Sequence, residues 1–100
     1  MRQFIYILKL IPKYMDEKNW TEETNEIISK HFFRLKEYTE KGKVILAGRV
    51  PDESDPESFG IVIFEEENAE KANEFMNNDP AVKEGIMTAK LFPFKVALIR

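Results

Sequence analysis

Phe4, Tyr6, Leu8 and Leu10 alternate with Ile5, Ile7 and Ile11. A strand built from such a run is apolar on both sides of the sheet it joins. A sheet covered on one face alone alternates apolar with polar residues instead. The doubling recurs twice: Ile61 and Ile63 oppose Val62 and Phe64, and Leu91, Ala97 and Ile99 oppose Phe92, Phe94, Val96 and Leu98. Both faces of this sheet therefore need cover. A chain of 100 residues holds one domain and one core, and its two substantial helical segments can cover only one face. The other face would be a larger apolar patch than soluble monomers usually expose. The pattern predicts a homodimer whose two sheets pack face to face. The alternative is a monomer with an unusually apolar sheet.

The order of elements is β-α-β-β-α-β. Residues 3–11 are β-branched and aromatic and stop at Pro12, which reads as a strand. Residues 12–20 are a connection carrying Tyr14, Met15 and Trp20. A long helix follows, with Thr21 as N-cap, Glu22 and Glu23 at its positive end and Gly42 as its stop. Thr24, Ile27, Ile28, His31, Phe32, Leu35 and Tyr38 fall on one stripe of it, with Phe33 on the opposite side. Residues 43–50 and 59–66 are strands, separated by a polar loop with two prolines. A shorter helix spans about Asn68 to Asn78, and Asp79-Pro80 ends it. One more turn lies at 81–85, and Ile86 to Ile99 reads as a last strand with Pro93 at an edge or bulge. This order implies α+β architecture of the ferredoxin-like kind: a four-stranded antiparallel sheet in one domain over 1–100, with both helices on one face.

Charge and cysteine narrow the function. Residues 1–50 carry ten Lys/Arg against seven Asp/Glu, for +3, and residues 51–100 carry five against eleven, for −6. Neither half has the dense basic cluster that a phosphate backbone requires, so nucleic acid is not an expected partner. The longest apolar stretch, Phe4 to Ile11, is broken by Lys9 and is far shorter than the ~20 residues of a membrane span. It is not followed by a small-residue cleavage site, and the expected location is cytoplasmic. No cysteine is present, which removes a disulfide framework, a thiolate metal site and a cysteine nucleophile.

His31, the single histidine, lies near the centre of the apolar stripe and so faces the sheet. It reads as a packed core histidine bonded to a neighbour such as Tyr38 or Tyr6, or as a general base needing an orienting carboxylate. No second ligand sits three or four residues away on the helix, so no metal is expected. Asp79 is the one acid off an obviously solvated face. It either caps the next short helix or approaches the side of the first helix from the end of the second. Asp52, Glu53, Asp55 and Glu57 lack calcium-loop spacing, and the glycines are isolated, so no phosphate loop is expected. Tyr14, Met15 and Trp20 form a lid over a pocket or cap the core. Phe33 is a scattered apolar residue or a contact in an assembly.

The segment KHFFRLKEYTEKGKVILAGRV and the later NNDPAVKEG and KLFPFKVALI together resemble the YciI-like family, also called the YCII-related domain, over almost the whole chain. The pieces are a helix histidine at His31, Leu35-Lys36, a strand between Gly42 and Gly48, and Asp79-Pro80. The resemblance implies a dimeric α+β barrel and a His–Asp pair lining a small pocket, which here is His31 with Asp79. It also implies elimination or isomerisation of small cyclic or aromatic-derived compounds. Arg49 stands where the family often has proline, and Ala81 where an aromatic often follows Asp-Pro.

The leading expectation is a small enzyme without a cofactor. His31 moves a proton on a small organic molecule, Asp79 fixes its tautomer, and Arg49 and Tyr14 are candidate substrate-binding residues. Two other classes remain open on the same barrel: a binding module that transforms nothing, and a cofactor-free monooxygenase.

Overall fold

The computed structural model describes residues 1–52 and 54–100; Glu53 of the acidic loop lies outside them. Strand β1 (Arg2–Leu10) leads through two short 3₁₀ turns, Pro12–Met15 and Glu17–Asn19, into helix α1 (Glu22–Glu40). Strands β2 (Val44–Arg49) and β3 (Gly60–Glu66) follow, then helices α2 (Ala69–Asn77) and α3 (Pro80–Lys83), and strand β4 (Met87–Pro93). The sheet order is β2-β3-β1-β4 with every neighbouring pair antiparallel. This is the four-stranded α+β arrangement that the element order implies.

The helix ends follow local chemistry. Thr21 and Asn68 cap α1 and α2 by accepting from the backbone N–H groups of Thr24 and Lys71. Helices α1 and α3 stop alike. Gly42 and Gly85 take positive φ, 87° and 75°, conformations that cost other residues energy. At each, two backbone bonds close the helix: Gly42 N to Thr39 O and Lys43 N to Tyr38 O, and Gly85 N to Val82 O and Ile86 N to Ala81 O. The second closure drops Ile86 into the core, 2% exposed. It belongs to that turn, so β4 begins only at Met87.

The doubled apolar pattern sorts onto two faces. Phe4, Tyr6, Leu8, Val44, Val62 and Phe64 point toward the helices and are buried with Leu35, Ala72, Phe75 and Met76. Ile5 pairs with Ile63 and with Phe92, and Ile7 with Ile61, on the opposite face. These isoleucines are half-buried, and Leu46 and Phe92 beside them are exposed. A bulge between Val44 and Leu46 brings Leu46 opposite Ile63, on that same open face.

Two expectations from the sequence need correction. The last strand does not run to Ile99; it ends at Pro93. Pro93 pairs with Phe4, two residues from the start of β1, and has no N–H to give to the ladder. Gln3 makes the final bonds, its carbonyl accepting from Phe94 N and its side-chain Oε1 from Val96 N. Beyond them Leu98 and Ile99 are 95% and 71% exposed. Phe32, expected on the inward stripe, is 60% exposed. A cavity rather than sheet lies beneath it, and it packs edge-on against Phe33, also exposed, at 5.5 Å. No helix among the described residues is long and apolar enough to cross a membrane.

Candidate active site

Asp79 links the two halves of the fold. It is the N-cap of α3, with Pro80 at the first helical position and its Oδ1 accepting from Ala81 N at 3.0 Å. The preceding α2 carries it to the flank of α1, where His31 Nδ1 lies 2.6 Å from the same Oδ1. The Tyr6 hydroxyl, projecting from β1, donates to Oδ2 at 2.9 Å. Asp79 is fully buried, yet three groups converge on its oxygens. That arrangement suits a carboxylate, which only accepts hydrogen bonds, and it offsets the cost of removing the charge from water. With the carboxylate ionised, His31 carries its proton on Nδ1 and donates to Oδ1. Its Nε2 then presents a lone pair, and no partner occupies it among the described residues.

Burial, reinforced by the neighbouring Asp79 charge, pushes the Tyr6 phenol far above its ordinary pKa; Arg34 offsets part of this. Tyr6 is therefore a donor at every physiological pH. Arg34, one turn along α1 from His31, donates Nη2 to the Phe75 carbonyl at 3.0 Å. Its guanidinium stacks over Phe75 at 4.3 Å and Tyr38 at 5.4 Å, while its Nη1 is buried without a hydrogen-bond partner among the described residues.

His31 stands on the wall of a cavity of about 560 Å³ between α1 and the β2–β3 end of the sheet. Leu8, Leu35, Val62 and Met87 give it apolar walls, Phe32 and Phe59 flank it, and Lys36, Glu40 and Arg49 supply charge. This volume suits a small organic molecule, since such sites span roughly 300–1,000 Å³. Among the described residues no group of three His, Cys, Asp or Glu side chains could hold a metal ion.

The structure brings His31 and Asp79 together and puts Arg49 on the cavity wall. It does not put Tyr14 there. Trp20 Nε1 donates to the Tyr14 carbonyl, and the two rings pack edge-to-face at 6.2 Å, so the connection folds on itself. Met15 lines the cavity instead. Sequence reasoning named Tyr6 as a possible partner of His31; its bond goes to Asp79. The available signal was a tyrosine among inward-facing Phe4 and Leu8, because a buried hydroxyl needs an acceptor.

The family model for the YCII-related domain matches residues 7–95. No curated protein matches the chain significantly. Among solved structures, the fold is similar to that of a 5-chloro-2-hydroxyhydroquinone dehydrochlorinase from Burkholderia phenoliruptrix AC1100, determined in complex with 2,5-dihydroxybenzoquinone. The TM-score is 0.68, the identity 20%, and the match covers 93% of each chain.

Proposed function

The chain belongs to the YCII-related domain family, and we propose that it is a small enzyme that moves a proton on a cyclic or aromatic-derived compound, with His31 as base and Asp79 as its orienting partner. One observation carries the reading. The His31–Asp79 contact is 2.6 Å long, and the other ring nitrogen, on a cavity wall, has no partner among the described residues. The dehydrochlorinase of similar fold acts on a chlorinated, hydroxylated ring, which supports elimination as the reaction class.

In the proposed step, His31 Nε2 takes a proton from the ring or its hydroxyl. The electron pair released moves into the ring, and the leaving group departs with the pair of its own bond. Asp79 stabilises the imidazolium formed, and solvent takes the proton from it. Isomerisation differs only in that the imidazolium returns its proton to another carbon. No electron is exchanged with an outside acceptor, so the step requires no redox cofactor. Arg49 and Lys36 are suited to holding an anionic oxygen of the substrate at the charged side of the cavity. The proposal includes a cytoplasmic location.

The same proposal includes a homodimer. The open face carries Ile5, Ile7, Leu46, Ile61, Ile63 and Phe92, and a second copy of that face is the partner of matching chemistry.

Chloride release from chlorinated hydroxyhydroquinones, followed alongside proton exchange of hydroxylated rings, tests the activity. Wild type should turn over at least one such compound, and His31→Ala and Asp79→Asn should lose nearly all of that turnover. A ligand that binds in the cavity and is never transformed would assign the chain to binding instead. Oxygen consumption during turnover would point to monooxygenation.

A further inference from the structure

We propose that Tyr6 and Arg34 are positioning residues that act on His31 through Asp79, holding the far carboxylate oxygen and so setting the strength of the base. The inference rests on the reading of His31 as the base. It adds what sets the strength of that base.

A base paired with a buried carboxylate faces a difficulty. At 2.6 Å from the ring, the undiluted charge of a fully buried carboxylate would stabilise the imidazolium. It would then hold a proton on Nε2, the atom that has to receive one. Donors on the other oxygen oppose this by drawing negative charge away from Oδ1. The Tyr6 hydroxyl is such a donor, at 2.9 Å from Oδ2. It remains one because burial keeps the phenol protonated.

Arg34 stands behind Tyr6. Its charge reaches the phenol and favours phenol ionisation, so it strengthens the hydroxyl as a donor to Asp79. It also repels an imidazolium directly. Its guanidinium rests on an aromatic shelf of Phe75 and Tyr38 and bonds one carbonyl, while its buried Nη1 finds no hydrogen-bond partner among the described residues. An apolar side chain would fill that shelf without an orphaned donor. The positive charge is the feature an apolar side chain would not supply. The other charged groups around His31 lie along the cavity: Lys36 and Glu40 on its own helix, of opposite sign, and Arg49 from β2. They face the substrate side rather than Asp79.

The chain has one histidine, so an NMR titration of its imidazole has a single assignment. Asp79→Asn should lower the His31 midpoint. Tyr6→Phe and Arg34→Met should each raise it by about half a pH unit or more, a roughly threefold gain in proton affinity. Arg34→Lys, which keeps the charge, should raise it less. In wild type, the Tyr6 Cζ chemical shift should inflect at the His31 midpoint. Midpoints unchanged in Tyr6→Phe and Arg34→Met, with Asp79→Asn still effective, would overturn the relay and leave the His31–Asp79 pair standing. A midpoint unmoved by Asp79→Asn as well would overturn both. If Tyr6→Phe does not fold, the wild-type Tyr6 signal decides: no inflection at the His31 midpoint refutes the relay.

Discussion

The Tyr6 hydroxyl donates to Asp79 Oδ2 at 2.9 Å, across 73 residues of chain and in the buried core. The bond ties the central strand β1 to the cap of α3, so the integrity of the site and the stability of the fold share one contact. A buried bond to a charged group contributes about 1.5–3 kcal/mol. Tyr6→Phe should lose stability in that range, because it also leaves Oδ2 without its donor. Equilibrium denaturant unfolding, at fixed protein concentration, measures it.

The same residue sets the response to alkali. Folded Tyr6 keeps its proton above pH 10.0, its ordinary value, while the unfolded chain releases it there. The unfolded state then binds fewer protons than the folded one, so stability falls as pH rises. The contribution is whole below the unfolded pKa and is lost as pH climbs toward the folded one. Above pH 10 the loss should approach about 1.4 kcal/mol per pH unit. In Tyr6→Phe that component should be absent and the alkaline limb correspondingly shallower.

His31 and Asp79 should separate activity from stability. Asp79→Ala removes a helix cap and orphans the Tyr6 hydroxyl, and should cost about 2–4 kcal/mol. His31→Ala leaves Asp79 two of its three donors and should cost less. On any substrate found, His31→Ala and Asp79→Asn should each lower kcat ~10²–10⁴-fold. The double variant should fall no further than the worse single one, because residues acting as one unit are not additive. Additive losses would show that the two residues act separately.

Glu66 supplies an acid-side counterpart. Its burial alone would raise the carboxyl pKa, but the Lys43 ammonium at 2.5 Å and the Glu67 backbone N–H outweigh that, and the net shift is downward. Such a group contributes stability that is full above its unfolded value and is lost as pH falls through the lower folded one. Lys43 also lies 4.7 Å from the Phe75 ring centroid. Lys43→Met keeps much of that packing while removing the charge. It should therefore flatten the loss of stability below about pH 4.5; acid denaturation of the two proteins compares the slopes.

The fold was largely legible because its signals are local. Thr21, Asn68, Gly42 and Gly85 mark helix ends by side chain or backbone preference alone, and the doubled alternation of β1 and β3 declares two apolar faces. The end of β4 was not legible. Phe94, Val96, Leu98 and Ile99 carry the apolar pattern on past the strand, and the end of pairing at Pro93 depends on β1, a partner far away in sequence. His31 and Asp79 were visible one at a time, as a polar residue on an apolar stripe and an acid before proline. Their separation of 48 residues is closed by packing of α3 on α1, which no spacing rule encodes. Arg34 stayed hidden for the same reason. A cation three residues past His31 looks like a solvated helix face until Phe75 and Tyr38 close around it.

The open face yields the last prediction. Ile5, Ile7, Ile61 and Ile63 form its centre by direct pairing, Ile5 with Ile63 and Ile7 with Ile61. Each is half-buried by strand neighbours alone, so a second sheet has further apolar surface to remove from water. Removing that surface from water favours association. The chain should therefore scatter light as a particle of twice 11.8 kDa. Ile63→Lys puts a charge in the middle of the face, where an unpaired buried charge is costly. It should give a particle of single mass while the fold, whose core lies on the other side of the sheet, persists by circular dichroism. A wild-type particle of single mass at micromolar concentration would refute the paired-sheet assembly.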